Sequence, residues 1–472
     1  MSRQSGLREV LPLTPLQEGL LFHALVDTDG PDVYSVWLGL ELTGELDPAA
    51  LRAAGQGLLD RHPNLRAAFR QTGGGRAVAA VPTRVALPWR VVDLGVVEAD
   101  RREAEWERLV ATEQARRFDL GRPPLLRMTL VRFGARRHRL LITHHHILLD
   151  GWSMPLLIDE LMRLHATGGD ATALPEPVPF RNYLAWLAGQ DPAEARQAWR
   201  TSLAGLDAPT LVAEPDPDRA PRVPERLDVD LPTELGGELL RYTRSAGLTM
   251  NTVVQAAWAL ALNVLTGRDD VVFGATVSGR PADLPGVESM IGLFINTVPV
   301  RVRLDPAERL GALLRRIQAD QAELLDHHHL GLAEIQRLAG HGELFDTLAV
   351  FENYPYDEDA APVTSIAVED VGGGDATHYP LVLAFQPGVD ASFTLRFRDD
   401  VLEREQVRGI GGWLLRILWE IATRPDSRVG SLDVLGGLDR RRVLGVWGVA
   451  GCSVEPVSFG GLFGVRVAEG AG

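Results

Sequence analysis

The strongest constraint in the chain is a pair of apolar, β-prone runs, the second of which ends in histidine. Leu125 to Phe133 (LLRMTLVRF) and His138 to His144 (HRLLITH) are separated only by Gly134-Ala135-Arg136-Arg137. Two such runs around a short glycine-containing turn specify a β-hairpin. The second run leads into His145-His146-Ile147-Leu148-Leu149-Asp150-Gly151, where Asp150-Gly151 is a turn signal. Ser153 is then placed to cap a helix with Pro155 in its first turn and Leu156, Leu157, Ile158, Leu161 and Leu164 as its apolar stripe. Strand, loop and helix in that order leave the histidines where a rigid strand gives out.

The same alternation of helix and strand signals fills the rest of the chain and predicts an α/β (α+β) fold. Thr14-Pro15-Leu16-Gln17 forms a capping box that opens a helix through Leu25. Tyr34 to Leu42 alternates as a strand, and Asp47-Pro48 opens a helix carrying Leu51, Leu58 and Leu59. Gly168-Gly169 ends the helix begun at Ser153, and Pro175, Pro177 and Pro179 mark a linker between two lobes. The proline-rich stretch Glu214 to Glu225 reads as a loop inside the second lobe. That lobe is expected to hold a helix near Asn251, strands at Asp270 to Thr276 and Ile295 to Val302, and a helix at Leu310 to Leu325. A hairpin at Leu381 to Phe397 and a helix around Leu402 to Ala422 complete it. No short-period repeat is present.

Composition excludes some partners. The 472 residues carry 63 Asp and Glu against 48 Lys and Arg, a net charge of −15. That balance disfavours nucleic acid or an anionic membrane as the main partner. The polar start Met1-Ser2-Arg3-Gln4 leads into no signal-like apolar core. Thr252 to Thr266 is the most apolar helix candidate, but it is too short to span a bilayer and reads as a core helix. Cys452 is the single cysteine, which rules out an internal disulfide and fits a cytoplasmic setting.

The run from His145 to Gly151 is where chemistry is expected. A histidine held at a strand end can take or orient a proton near neutral pH, since its free pKa is about 6.5. Asp150 can fix the loop by accepting a hydrogen bond or pairing with a cation, and Gly151 permits close backbone approach. The pattern alone fits a satisfied core histidine equally well. Adjacent strand residues face opposite ways, so His145 and His146 do not share one metal ion. His144 and His146 can share a face, but no further ligand is spaced to complete a site, and no metal is expected. The internal run His327-His328-His329 reads as a solvated face or an element end. Capping explains Ser153 better than nucleophilic chemistry does, and Cys452 has no activating neighbour in sequence.

HHILLDGWS, His145 to Ser153, resembles the signature of nonribosomal peptide synthetase condensation domains, a branch of the chloramphenicol-acetyltransferase-like superfamily. Other motifs of that family follow in its order. Pro12 to Leu25 (PLTPLQEGLLFHAL) resembles the first, Arg61 to Phe69 (RHPNLRAAF) the second and Phe180 to Leu187 (FRNYLAWL) the fourth. Ile291 to Arg301 (IGLFINTVPVR) matches the fifth, and Asp346 to Pro355 (DTLAVFENYP) falls where the late motifs belong. The resemblance runs from Leu7 to about Leu435. It implies two acetyltransferase-like lobes, 1–175 and 176–435, forming a V-shaped pseudo-dimer with a tunnel between them. Donor and acceptor carrier proteins would each present an acyl group on a phosphopantetheine arm, with no cofactor bound by the domain itself, which would be monomeric. The acceptor amine would attack the donor thioester, oriented or deprotonated by His146, with His145 beside it in the catalytic motif. Asp150 would pair with Arg66 to hold the loop. Gly151 would keep the tunnel open and offer its N–H to the oxyanion. Trp152 would support the site, and Asn296, Asn353 and Tyr354 would line the tunnel.

Some segments depart from the family pattern. Residues 436–472, with Leu438 to Leu444 and Trp447, resemble the linker into an adenylation domain, but Trp447-Gly448 replaces the usual Trp-Asn and the chain stops before any nucleotide-binding motif. The sixth motif is loose at His329-Leu330-Gly331-Leu332. The PLQEGLLFH opening is closer to domains that accept a peptide with a D-configured C-terminal residue than to the common L,L type. Three rivals stay open: an epimerisation domain, which Glu352-Asn353-Tyr354-Pro355 does not resemble; a free-standing acyltransferase using a small thioester; and a catalytically silent module that recruits a tailoring enzyme to a carrier-bound peptide. Modules of that last kind usually lose the second histidine, which this chain keeps as His146.

Overall fold

Helices begin where the capping residues stand. In the computed structural model, which describes residues 6–27, 30–216, 219–354, 366–388, 390–434 and 436, helix α1 (Pro15–Val26) opens on the expected box. Thr14 Oγ1 accepts from the Gln17 N–H at 3.3 Å and Gln17 Oε1 accepts from the Thr14 N–H at 3.0 Å. Asp47 accepts from the Ala49 N–H at 2.8 Å and starts α2 (Pro48–Arg61). Helices α3 (Arg102–Ala115), α4 (Ser153–Ala166) and α5 (Phe180–Ala188) follow. The start of α4 departs from expectation. Ser153 makes no cap; its own N–H donates to Asp150 Oδ1 at 2.9 Å, so the aspartate satisfies that end of the helix.

Seven strands precede residue 150: β1 (Leu7–Leu11), β2 (Ser35–Thr43), β3 (Ala68–Gln71), β4 (Ala77–Pro82), β5 (Trp89–Asp93), β6 (Leu126–Arg132) and β7 (Arg137–His145). Seven more follow: β8 (Glu225–Asp230), β9 (Asp270–Val277), β10 (Asn296–Arg303), β11 (Thr347–Phe351), β12 (Ala367–Gly374), β13 (Leu381–Gln386) and β14 (Ser392–Phe397). The expected β6–β7 and β13–β14 hairpins are antiparallel pairs. Among the described residues the strands form a three-stranded sheet β1-β4-β3, a five-stranded sheet β12-β2-β7-β6-β5 and a six-stranded sheet β10-β9-β11-β13-β14-β8.

Strand β12 crosses the expected boundary at 175. It lies late in the chain, yet its partner is β2, from Ala367 against Thr43 to Gly374 against Trp37, with a bulge between Asp370 and Gly372. The glycine run makes this possible: Gly372 has φ +124°, and a Cβ on Gly374 would collide with the Trp37 indole. Both halves of the chain therefore contribute to one sheet.

Alternation along β7 decides what each histidine meets. Leu140 and Ile142 join the core formed with Leu51 and Leu58 of α2 and Leu157 and Leu161 of α4. Leu141 faces the other way, into the cluster of Trp106, Val110, Val131 and Phe133 under α3. His144 thus follows the first face and His145, the last residue of β7, the second. The apolar helix Met250–Thr266 is a core element, with Thr252 to Leu262 buried. Among the described residues no single helix is long and apolar enough to cross a membrane; only the bent pair Thr233–Ala246 and Met250–Thr266 passes by length and composition. Contacts divide the chain after Ser431. Leu438 to Leu444, Trp447 and Cys452 lie outside the described residues.

Candidate active site

The three consecutive histidines have three different environments. His145 is fully buried, and its Nδ1 accepts from the Ile147 N–H at 3.1 Å. The proton therefore sits on Nε2, which faces Asp32 Oδ2 at 3.5 Å. Burial, then the neighbouring His146 and His144, lowers its pKa to about 3, so the ring is a neutral brace between β7, Asp32 and the edge of Phe118. His146 continues the ladder through its backbone N–H, which donates to the Tyr34 carbonyl at 2.9 Å. Its Nδ1 lies 2.9 Å from the Leu149 carbonyl. A carbonyl only accepts, so Nδ1 carries the proton and Nε2 is left with a free lone pair on a half-buried ring. His144 repeats that pattern in the interior. Its Nδ1 is 3.2 Å from the His145 carbonyl, its Nε2 has no partner among the described residues, and burial lowers its pKa to about 4.

Asp150 does not pair with Arg66. Its carboxylate accepts from the Ser153 N–H at 2.9 Å and the Phe294 N–H at 2.9 Å, and lies 3.4 Å from Arg280 Nη2. Arg280 also donates to Ser153 Oγ at 3.0 Å, to the Met290 carbonyl at 3.0 Å and to the Val287 carbonyl. Its guanidinium lies 3.9 Å from the Phe294 ring centroid. Ser153 Oγ in turn donates to the Gly292 carbonyl at 2.8 Å and accepts from the Gly292 N–H at 3.0 Å. Arg66 is equally buried but local: it donates to the carbonyls of Leu59, Asp60 and Pro82, fastening the end of α2 to β4. Three accepting carbonyls hold it there, and the second half of the chain already neutralises the Asp150 carboxylate. Gly151 lies against Tyr354, and a Cβ there would collide with the phenol. The Gly151 N–H makes no hydrogen bond among the described residues. Nor do these residues contain a group of three or more potential metal ligands.

The condensation-domain family model matches residues 7–444. The chain belongs to the condensation-domain family. A linear gramicidin synthase protein of Brevibacillus parabrevis is 35% identical over 457 residues, which span 95% of this chain but 6% of that protein. The first condensation domain of the CDA synthetase superposes with a TM-score of 0.74 at 21% identity, covering 91% of this chain and 100% of that one. The X-domain from teicoplanin biosynthesis gives 0.75 at 25% identity, covering 92% and 99%. These likenesses show the mixed helix-and-sheet fold of known condensation domains.

Within this condensation domain, the motifs read from sequence are tied to one another. Gln17 of the first donates to the Ile147 carbonyl at 3.0 Å, inside the histidine loop. Asn64 of the second donates to the Ile291 carbonyl at 2.9 Å, in the fifth. Phe180 of the fourth occupies the space a side chain on Gly292 would need. Even the loose sixth motif is seated, since a Cβ on Gly331 would lie 3.1 Å from Pro15 at the head of α1. Trp152 donates to the Glu288 carbonyl at 3.1 Å.

The residues expected along the tunnel separate. Tyr354 abuts Gly151, but Asn353 is exposed. Asn296 is buried; its Nδ2 donates to the carbonyls of His328 and Leu330, at 2.8 Å each, and its Oδ1 accepts from the Thr297 N–H at 3.0 Å. It holds the loop that follows the histidine run, which itself ends a short helical turn at Leu325–His327. Sequence reasoning missed Arg280, although Gly279-Arg280-Pro281 carried a turn signal just past β9. It also missed a charged group formed by Glu352, Asp375 and Arg396, for which no local signal existed.

Proposed function

We propose that this domain forms an amide bond between two carrier-bound acyl groups. The amine of an acceptor aminoacyl thioester attacks the carbonyl of a donor thioester, and the product stays on the acceptor carrier. The observation that carries this reading is His146: its Nδ1 proton is committed to Leu149, which turns a lone pair on Nε2 outward from a rigid strand end. Such an acceptor can orient an amine N–H and take its proton as the C–N bond forms. The uncommitted Gly151 N–H supports a role as donor to the developing oxyanion. A thioester is already activated, and positioning two tethered reactants can supply ~7 kcal/mol or more, so a site this spare is sufficient.

The partners in this reading are donor and acceptor carrier proteins bearing phosphopantetheine arms, with an adenylation domain adjoining residues 436–472 in the cytoplasm. The domain binds no cofactor of its own and acts as a monomer through lobes of 1–175 and 176–435, with β12 bridging them. The PLQEGLLFH opening supports a donor ending in a D-residue. The second reading, a silent module that docks a tailoring enzyme, gains from the likeness to the teicoplanin X-domain, which has been solved in complex with OxyB. The free Nε2 of His146 favours the first.

A reconstituted assay separates them. Donor and acceptor carriers loaded with model substrates are mixed with the protein or its His146→Ala variant, and the acceptor is weighed intact by mass spectrometry. An elongated acyl group with the native protein, reduced ~10²–10⁴-fold in the variant, supports condensation. Equal rates for the two proteins would sink it. No transfer from L- or D-terminated donors, with carrier binding intact, favours the docking module.

A further inference from the structure

Strand β12 delivers a charged residue toward the histidines. Gly374 pairs with Trp37, and Val36 pairs with His144. Asp375 follows Gly374 directly at the end of β12, and its charge acts on the buried His144, two residues before His146. From the six-stranded sheet, Arg396 of β14 donates to Asp375 Oδ1 at 2.7 Å and reaches Glu352 Oε1 at 3.5 Å. Glu352 follows β11 directly, and Tyr354 just beyond it rests on Gly151. The two large sheets thus meet, beside the histidine loop, in one guanidinium shared by two carboxylates.

That group is incomplete in two respects. Counting Arg226, which also acts on Glu352, and its own partner Asp228, two cations against three anions leave a negative charge uncompensated, and the longer arm of Arg396, to Glu352, is the weaker pair. These side chains are largely withdrawn from solvent, at 14% exposure for Arg396, 22% for Glu352 and 35% for Asp375. Separately, His144 Nε2 is a bare acceptor on a residue only 2% exposed, with Asp375 near enough to oppose the lowering of its pKa. A buried acceptor and a surplus carboxylate that acts on it both call for a ligand that donates hydrogen bonds and bears positive charge. In a condensation reaction the acceptor's ammonium group answers that description.

We propose that Glu352 and Asp375, held by Arg396, form the subsite that receives the acceptor's ammonium, and that Glu352 removes its first proton so that a neutral amine reaches His146. This rests on the condensation reading above. The ammonium proton passes to the Glu352 carboxylate. The amine lone pair attacks the donor carbonyl, the C–S bond breaks, and His146 carries the second N–H proton to the leaving thiolate. The products are the amide, a free thiol and one proton, which Glu352 returns to solvent. Burial and the neighbouring Asp375 raise the pKa of Glu352, Arg396 and Arg226 oppose that rise, and Tyr354 is the other titratable group against it. The raised value makes Glu352 a stronger base than a surface glutamate.

The test has two arms. In the first, an aminoacyl-pantetheine amide and its N-acetylated twin are titrated calorimetrically into the protein and into Glu352→Gln. The native protein is expected to favour the free amine by about tenfold, the size of one charge-assisted contact, and the variant to lose that preference. Equal affinity of the native protein for both compounds overturns the subsite, whatever its condensation activity; retained preference without condensation leaves the subsite standing and sinks the condensation reading. In the second, single-turnover condensation is followed from about pH 6.5 to 9. Glu352→Gln should fall about tenfold or more at neutral pH and recover as the amine deprotonates by itself near pH ~8. Asp375→Asn should show a smaller loss of the same shape. A pH profile unchanged from the native one, or a loss equal at every pH, overturns the proton transfer.

Discussion

The two flanks of the histidine loop are built on opposite principles. On the Asp150 flank most polar groups are paired across the chain: carboxylate to Ser153, Phe294 and Arg280, hydroxyl to Gly292, guanidinium to Met290 and Val287, with Arg280 Nε left without a partner among the described residues. On the His146 flank two imidazole Nε2 atoms stand free among the described residues, and Glu352 shares its arginine with Asp375. A densely paired hydrogen-bond network rigidifies, while free acceptors beside a shared arginine leave, in the proposed reading, room for substrate. In that reading, residues a few positions apart in one motif therefore do different work. Architecture and chemistry separate by what each side chain leaves unsatisfied, not by spacing.

Substitutions on the two flanks should come apart in the same way. His146→Ala should lower condensation ~10²–10⁴-fold while the melting temperature stays within a few degrees. Asp150→Ala should destabilise the fold by ~3–5 kcal/mol, because it strands a buried arginine, and its activity should fall as a consequence. Thermal unfolding measured beside turnover distinguishes the two. If Asp150→Ala melts like the native protein and only its rate falls, the comparison fails.

Gly151 sits at the border between the flanks. Gly151→Ala puts a methyl group into the Tyr354 phenol and should displace either the loop or the ring, at ~1–3 kcal/mol for such overpacking. The double variant with Tyr354→Ala should regain much of that stability. Failure of the second substitution to relieve the first would mean that the alanine acts on the backbone rather than on the ring. A smaller effect sharpens the correction at Arg66. A double-mutant cycle should find coupling of at least ~1 kcal/mol between Asp150 and Arg280, and less than ~0.5 kcal/mol between Asp150 and Arg66.

What the sequence revealed about this fold was mostly local. The capping box at Thr14, the Asp47 cap and the β6–β7 hairpin each lie within a few residues of their partners, so propensity and turn chemistry were enough. Alternation also holds along β7, with Leu140 and Ile142 in one core and Leu141 in the other. Long-range pairings were not legible. Strand β12 carries acidic residues and three glycines, a poor strand signal, and its pairing partner β2 lies more than 300 residues earlier. Asp150 finds Arg280 at a separation of 130 residues, where the family resemblance pointed to Arg66. Ser153 looked like a cap because hydroxyls cap helices, but Gly292 offered it a carbonyl and an N–H together.

The last expected effect is read against pH and concerns the histidines that face inward. His145 has a folded pKa near 3 against an ordinary 6.5, so over that interval the unfolded chain binds a proton that the folded one refuses. Stability is complete above the unfolded value and is lost as pH falls toward the folded one. His144, lowered to about 4, and His378, lowered to about 3, act in the same direction. His145→Asn can still accept from the Ile147 N–H but does not titrate. It should therefore reduce the acid-side slope of unfolding free energy by one proton, about 1 kcal/mol per pH unit between pH ~4 and ~6. Denaturant unfolding at several pH values measures that slope. A slope equal to the native one would mean that His145 is already protonated in the fold, paired with Asp32 as an ion, and the neutral brace would have to be redrawn as a buried salt bridge.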